Sequence, residues 1–136
     1  MSIIDTKYKK ESISSFTEIY YDDFLAVSRT FSDKSANYTI LEDECKNNFV
    51  FTNIGSSGTI KFELPTPVVG YRTIIIVVES QTIQVDSGSS NKIYTTSASS
   101  GSQEVECSTK GGVLELFCIN SSEWMTKDVK TWSTVT

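Results

Sequence analysis

The chain has 136 residues, among them 21 Ser and 16 Thr, with 7 Gly, 2 Pro, 3 Cys and no His. Without imidazole there can be no Ser-His-Asp or Cys-His nucleophilic site, no HExxH zinc site and no other His-containing metal centre. Carboxylates, Lys and Tyr remain as catalytic options. A net charge of −5, with basic residues scattered apart from Lys7, Lys9 and Lys10, lacks the basic stripe that releases phosphate counterions, so no nucleic-acid partner is expected.

A chain of this length suits one compact domain whose core hides roughly two-thirds of the unfolded surface without metal or disulfide. Met1 to Lys10 contains no apolar stretch, and the longest apolar run is Ile74 to Val78. Neither a secretion signal nor membrane insertion is expected. Cys45, Cys107 and Cys118 are odd in number and show no CxxC spacing, so they read as small buried hydrophobes with free thiols.

In chain order, residues 11–28 come first. Ile13, Phe16, Ile19, Tyr20, Phe24 and Val27 recur at spacings of three and four, the pattern of an amphipathic helix, and Ser15 with Glu18 fits a capping box at its start. Two short strands are the competing reading, since Thr, Ile, Tyr and Phe also favour strands. Asp33-Lys34-Ser35 breaks the pattern. Residues 1–35 are therefore read as an N-terminal docking or stalk segment, and residues 36–136 as a separate β domain.

From Ala36 onward short strand-like stretches alternate with turn residues. The expected strands are Asn37 to Leu41, Phe49 to Thr52, Thr59 to Leu64, Thr73 to Glu79, Thr82 to Val85, Lys92 to Tyr94, Glu104 to Cys107, Val113 to Ile119 and Glu123 to Thr126. Gly-Ser, Pro and Gly-Gly turns separate them. The fold class expected is mainly β, an antiparallel β-sandwich of jelly-roll type. Ile74 to Val78, apolar without alternation, reads as a central strand covered on both faces.

A two-residue turn at Gly111-Gly112 would pair Cys107 with Leu116 and Val105 with Cys118 in one hairpin. Val105, Cys107, Leu114, Leu116 and Cys118 would then share a face. Shifting the turn by one residue opposes Glu106 and Glu115, which disfavours that register. Trp124 reads as a packing residue, and Lys127 to Thr136 as an edge strand or an arm.

The carboxylate clusters are Glu42-Asp43-Glu44, Asp22-Asp23 and the pair Glu104 and Glu106, the last two projecting to one side of a strand. Alternation alone requires such an outer face, so no enzyme is expected. The loop Asp86 to Asn91 lacks the spacing of a calcium site, and no cofactor is implied.

The succession "ANYTIL", "FVFTN", a Gly-Ser turn, "GTIKFELP", the apolar "TIIIVV", "TIQV", a Ser/Gly loop, "GGVLELFCIN" and "SSEW" resembles the small all-β domains of phage tail fibres and other virion appendages, over about residues 36–126. That resemblance implies a viral structural protein of the virion, commonly a homotrimer, which contacts other virion proteins and a host surface glycan or protein during attachment. The alternative is a carbohydrate-binding module of a cellular or secreted protein. For that module Tyr71, Tyr94 and Trp132 are the candidate ligand-binding aromatics.

Overall fold

The computed structural model describes residues 29–135. The N-terminal helix expected from the sequence lies outside them, as do Asp22 and Asp23. The described residues form eleven strands and one short helix. They are β1 (Thr30–Asp33), β2 (Tyr38–Thr39), α1 (Glu42–Lys46), β3 (Phe49–Thr52), β4 (Ile60–Glu63) and β5 (Arg72–Ile76). Then come β6 (Ile83–Asp86), β7 (Lys92–Tyr94), β8 (Glu104–Cys107), β9 (Val113–Cys118), β10 (Glu123–Val129) and β11 (Ser133–Thr134).

The strands form a six-stranded sheet in the order β1-β3-β5-β9-β10-β7 and a five-stranded sheet in the order β11-β8-β6-β4-β2. From β1 to β9 the chain crosses from one sheet to the other at every step. Strands separated by one crossing and return lie parallel: Thr30 pairs with Phe49, Val50 with Ile74, Tyr38 with Phe62 and Ile60 with Ile83. The first half of the domain is thus a flattened coil. In the second half β8 and β9 run antiparallel to β6 and β5, and β10 returns antiparallel on β9.

Both sheets are therefore mixed, where the sequence suggested antiparallel pairing throughout. The turn residues explain the difference. Gly55 takes a positive φ of 90° after β3, and Pro65 and Pro67 follow β4, so the chain reverses where expected. Each reversal carries it across the core to the other sheet, whereas a hairpin would have laid it beside the strand just left. A parallel neighbour needs such a crossover, and here the strand in the opposite sheet supplies it.

One core lies between the sheets. Phe51, Ile75, Leu114, Leu116 and Trp124 from the six-stranded sheet meet Phe62, Ile83, Val85, Val105 and Cys107 from the other. The Phe51 and Phe62 ring centroids are 5.5 Å apart. Each of these side chains removes enough apolar area from water to contribute roughly 1.5–3 kcal/mol before the entropy of ordering is charged against it. Trp124 is fully buried, as its packing role required.

The expected β8–β9 hairpin does not form. The five residues assigned to its inner face are all buried, yet β8 and β9 belong to different sheets. Gly111 has φ of 89°, and the turn is held from outside by Gly111 N–H to the Val77 carbonyl and Val77 N–H to the Gly112 carbonyl, 2.8 Å each. At Gly112 a Cβ would come within 2.7 Å of Cys107 Sγ, so only glycine lets the chain pass that close.

Strand pairing begins at Thr30, ahead of the domain boundary expected at Ala36, because β1 adds to β3. β5 is central, third of six, but only Ile75 and Val77 are fully buried while Ile74, Ile76 and Val78 are half-buried. The last expected strand extends to Val129, and a final short strand, β11, pairs with β8.

Candidate functional site

The aromatics singled out for ligand binding are not brought together on a surface. Trp132 is 0% exposed; Thr95 Oγ1 donates 2.9 Å to its carbonyl, which ties the C-terminal arm into the core. Tyr71 is buried, with its hydroxyl donating 2.6 Å to Glu42 Oε1. Tyr94 is half-buried and donates 2.7 Å to Glu123 Oε2. Two of the three rings thus present no stacking face, because apolar area large enough to bind a sugar was here used to close the core.

The carboxylates are likewise engaged. Glu42, Asp43 and Glu44 form the first turn of α1, where negative charge suits the exposed amides. Glu44 accepts the Leu41 N–H at 2.8 Å and the Tyr38 hydroxyl at 2.7 Å. With Glu42 holding Tyr71, this five-residue helix is anchored through two phenol–carboxylate bonds to β2 and to the start of β5. Cys45 packs beneath it. The sequence named these acids as a cluster, but their partners lie 6 and 29 residues away and carry no local signal.

Glu104 and Glu106 do project to one side of β8. In the register of the five-stranded sheet Asp86 stands opposite Glu104, a like-charge pair, and Lys61 from β4 relieves it at 3.9 Å and 3.3 Å. Glu106 accepts from Gln84 Nε2 at 3.1 Å. Partly exposed pairs of this sort contribute on the order of 1 kcal/mol each. The Asp86 to Asn91 loop binds its own backbone: Asp86 Oδ1 accepts Gly88 N–H, and Asn91 Nδ2 donates to the Ser87 carbonyl. No group of three or more His, Cys, Asp or Glu among the described residues could hold a metal ion.

The electrostatics follow these contacts. The Glu42 hydrogen bond pushes the Tyr71 phenol up to about 12, with burial and the Glu42 charge acting in the same direction. Burial and then the Glu44 hydrogen bond raise Tyr38 to about 12. Tyr94 rises through its bond to Glu123, and that bond, with one from Asn120, lowers Glu123. Burial raises Cys45 to about 12 and also raises Cys118, the direction that disfavours the thiolate form.

Among the clefts of the described residues is a wide one of about 500 Å³, lined by Ser35, Ala36, Asn37, Ser57, Gly58, Thr59 and Ile60, and a smaller one of about 240 Å³ has Glu106, Ser108 and Thr109 in its lining. The lining of the wide cleft has hydroxyls and one amide but neither a charge nor an aromatic ring, and Asn37 Oδ1 is already held by the Lys61 N–H at 2.8 Å. Such a surface offers hydrogen bonds.

No protein-family model matches the chain, and no curated protein matches it.

What sequence reasoning missed is Asn53. This wholly buried residue accepts the Val78 and Glu79 N–H groups at 2.8 and 2.9 Å and donates to the Glu79 and Gln81 carbonyls at 3.1 and 3.4 Å. It acts as a short extra rung between the end of β3 and the turn after β5. An Asn beside a Gly-containing turn reads as a turn former, and nothing local distinguishes the two roles.

Proposed function

We propose that the chain is a non-enzymatic structural protein of a virus particle, a tail-fibre or spike-type domain that acts in assembly or host attachment as a homotrimer located in the virion. The two sheets with one core between them are read as the layers of a β-sandwich. The observation that carries this reading is the open end of the coil. Among the described residues β1 and β2, the first strand of each sheet, are both edge strands. Parallel coils that stop at such an edge leave unpaired N–H and C=O groups, which a neighbouring chain can cover.

The engaged carboxylates and buried aromatics support a holding role over a catalytic or sugar-binding one. Within a homotrimer each subunit would protect the edges of the next, which suits a particle that must survive outside cells. Light scattering at micromolar concentration is expected to give the mass of three chains. A monomer there would count decisively against the proposal.

A further inference from the structure

The ladder between β2 and β4 stops short. It pairs Tyr38 with Phe62 and Thr39 with Glu63, and just past it the Ile40 N–H reaches the Glu63 carbonyl at 2.8 Å. One more parallel rung at the other end would send the Lys61 N–H to the Ala36 carbonyl and the Ala36 N–H to the Thr59 carbonyl. That rung is not made. Asn37 takes the Lys61 N–H on its side-chain Oδ1 at 2.8 Å instead, and the two segments part around the cleft of about 500 Å³.

The walls of this cleft are residues 35–37 and 57–59, all of them exposed. Among the described residues neither wall takes part in a backbone hydrogen bond, so both present N–H and C=O groups without partners. Ser56, the chain neighbour of the lining Ser57, adds a hydroxyl that is buried and has no hydrogen-bond partner among the described residues.

We propose that the cleft binds an extended, uncharged peptide segment of a partner protein, which lies between the two walls as a short added strand and completes the missing rung. A peptide backbone fits because it offers N–H and C=O groups in alternation along a line. A wall of three residues, at about 3.3 Å each, matches roughly three residues of such a strand. A sugar would find hydroxyls here but no ring to stack on, and an anion would find no positive charge in the lining. The site is independent of the trimer: peptide binding would survive the finding of a monomer, and a trimer would survive the failure of peptide binding.

The test is a titration of the isotope-labelled full chain with the blocked pentapeptide acetyl-Ser-Thr-Val-Thr-Ser-amide, followed by NMR at the amides of residues 35–37 and 57–60. With no charge or ring in the lining to select side chains, a generic uncharged sequence is a fair probe. The expected result is a saturable shift at those amides, with a dissociation constant on the order of 1 mM. The same peptide N-methylated at alternate residues keeps its side chains but loses donors, and should bind at least about tenfold more weakly. Gly58→Phe should abolish binding, because a Cβ at Gly58 meets nothing within 4 Å and the added ring has room to occupy the cleft. No saturable shift up to about 10 mM peptide, or shifts confined to other residues, would overturn the proposal. Equal binding of the N-methylated peptide would do so too, as would a neutral glucose pentasaccharide that binds these residues more tightly than the peptide. Should Gly58→Phe fail to fold, the comparison of the two peptides on the unaltered chain decides.

Discussion

At the scale of single residues, the chain spends its polar chemistry on itself. Tyr38 and Tyr71 both titrate near 12 against an ordinary 10.0 because each phenol donates to a carboxylate of α1 or lies in a desolvated place. A folded-state value above the unfolded one means that stability is fully present below pH 10 and is lost as pH rises toward 12. The expected outcome is an alkaline transition in which phenolate absorbance from these two tyrosines and loss of β-sheet circular dichroism appear together. Tyr71→Phe should move that transition toward lower cooperativity. Titration of all tyrosines near their ordinary value in a still-folded chain would contradict it. At the acid end the sign reverses: Glu123, lowered by Tyr94 and Asn120, contributes stability that fades as pH falls through its depressed value.

At the scale of elements, alternation in the sequence reported burial faithfully and pairing poorly. β3, β7 and β8 begin and end where composition placed them, since branched and aromatic residues bounded by turn formers leave little choice. The inner-facing residues of β8 and β9 were also legible, because period two fixes which side chains face the core. Which sheet each strand joins was not legible. Val105 and Leu116 would be buried equally in one hairpin or in two facing sheets, and the Gly111-Gly112 turn permits both. α1 was hidden for a related reason: Glu42 to Lys46 has one apolar residue, Cys45, and is held by the distant Tyr38 and Tyr71. Asn53 shows how much rests on such distant bonds. Asn53→Ala takes the acceptor from the half-buried Val78 and Glu79 N–H groups and should cost roughly 1–3 kcal/mol, read as a fall in the urea midpoint with an unchanged slope. A loss under about 0.5 kcal/mol would show that the turn after β5 holds itself.

For the whole molecule the question is whether the coiled half and the antiparallel half open together. β5 and β6 belong to both, pairing with β3 and β4 on one side and with β9 and β8 on the other, so the two halves share their central strands. Three buried, free cysteines report on different parts: Cys45 on α1 near the open end of the coil, Cys107 on β8 and Cys118 at the end of β9. In a single cooperative unit all three thiols stay silent toward a thiol reagent in the native state and react at one common rate set by global unfolding. Reaction should be slower than in denaturant by at least about a hundredfold, since burial removes access and, at Cys45 and Cys118, raises the thiol as well. The coil end is one of two such places, because among the described residues β1 and β2, like β7 and β11 at the other ends of the two sheets, have a neighbour on one side only. If it opens first, Cys45 is labelled ahead of Cys107 and Cys118, and mass spectrometry of the partly modified chain would show one adduct confined to α1. Assembly that covers the open edges should then slow Cys45 selectively, which makes its labelling rate against protein concentration a direct reading of what those edges are for.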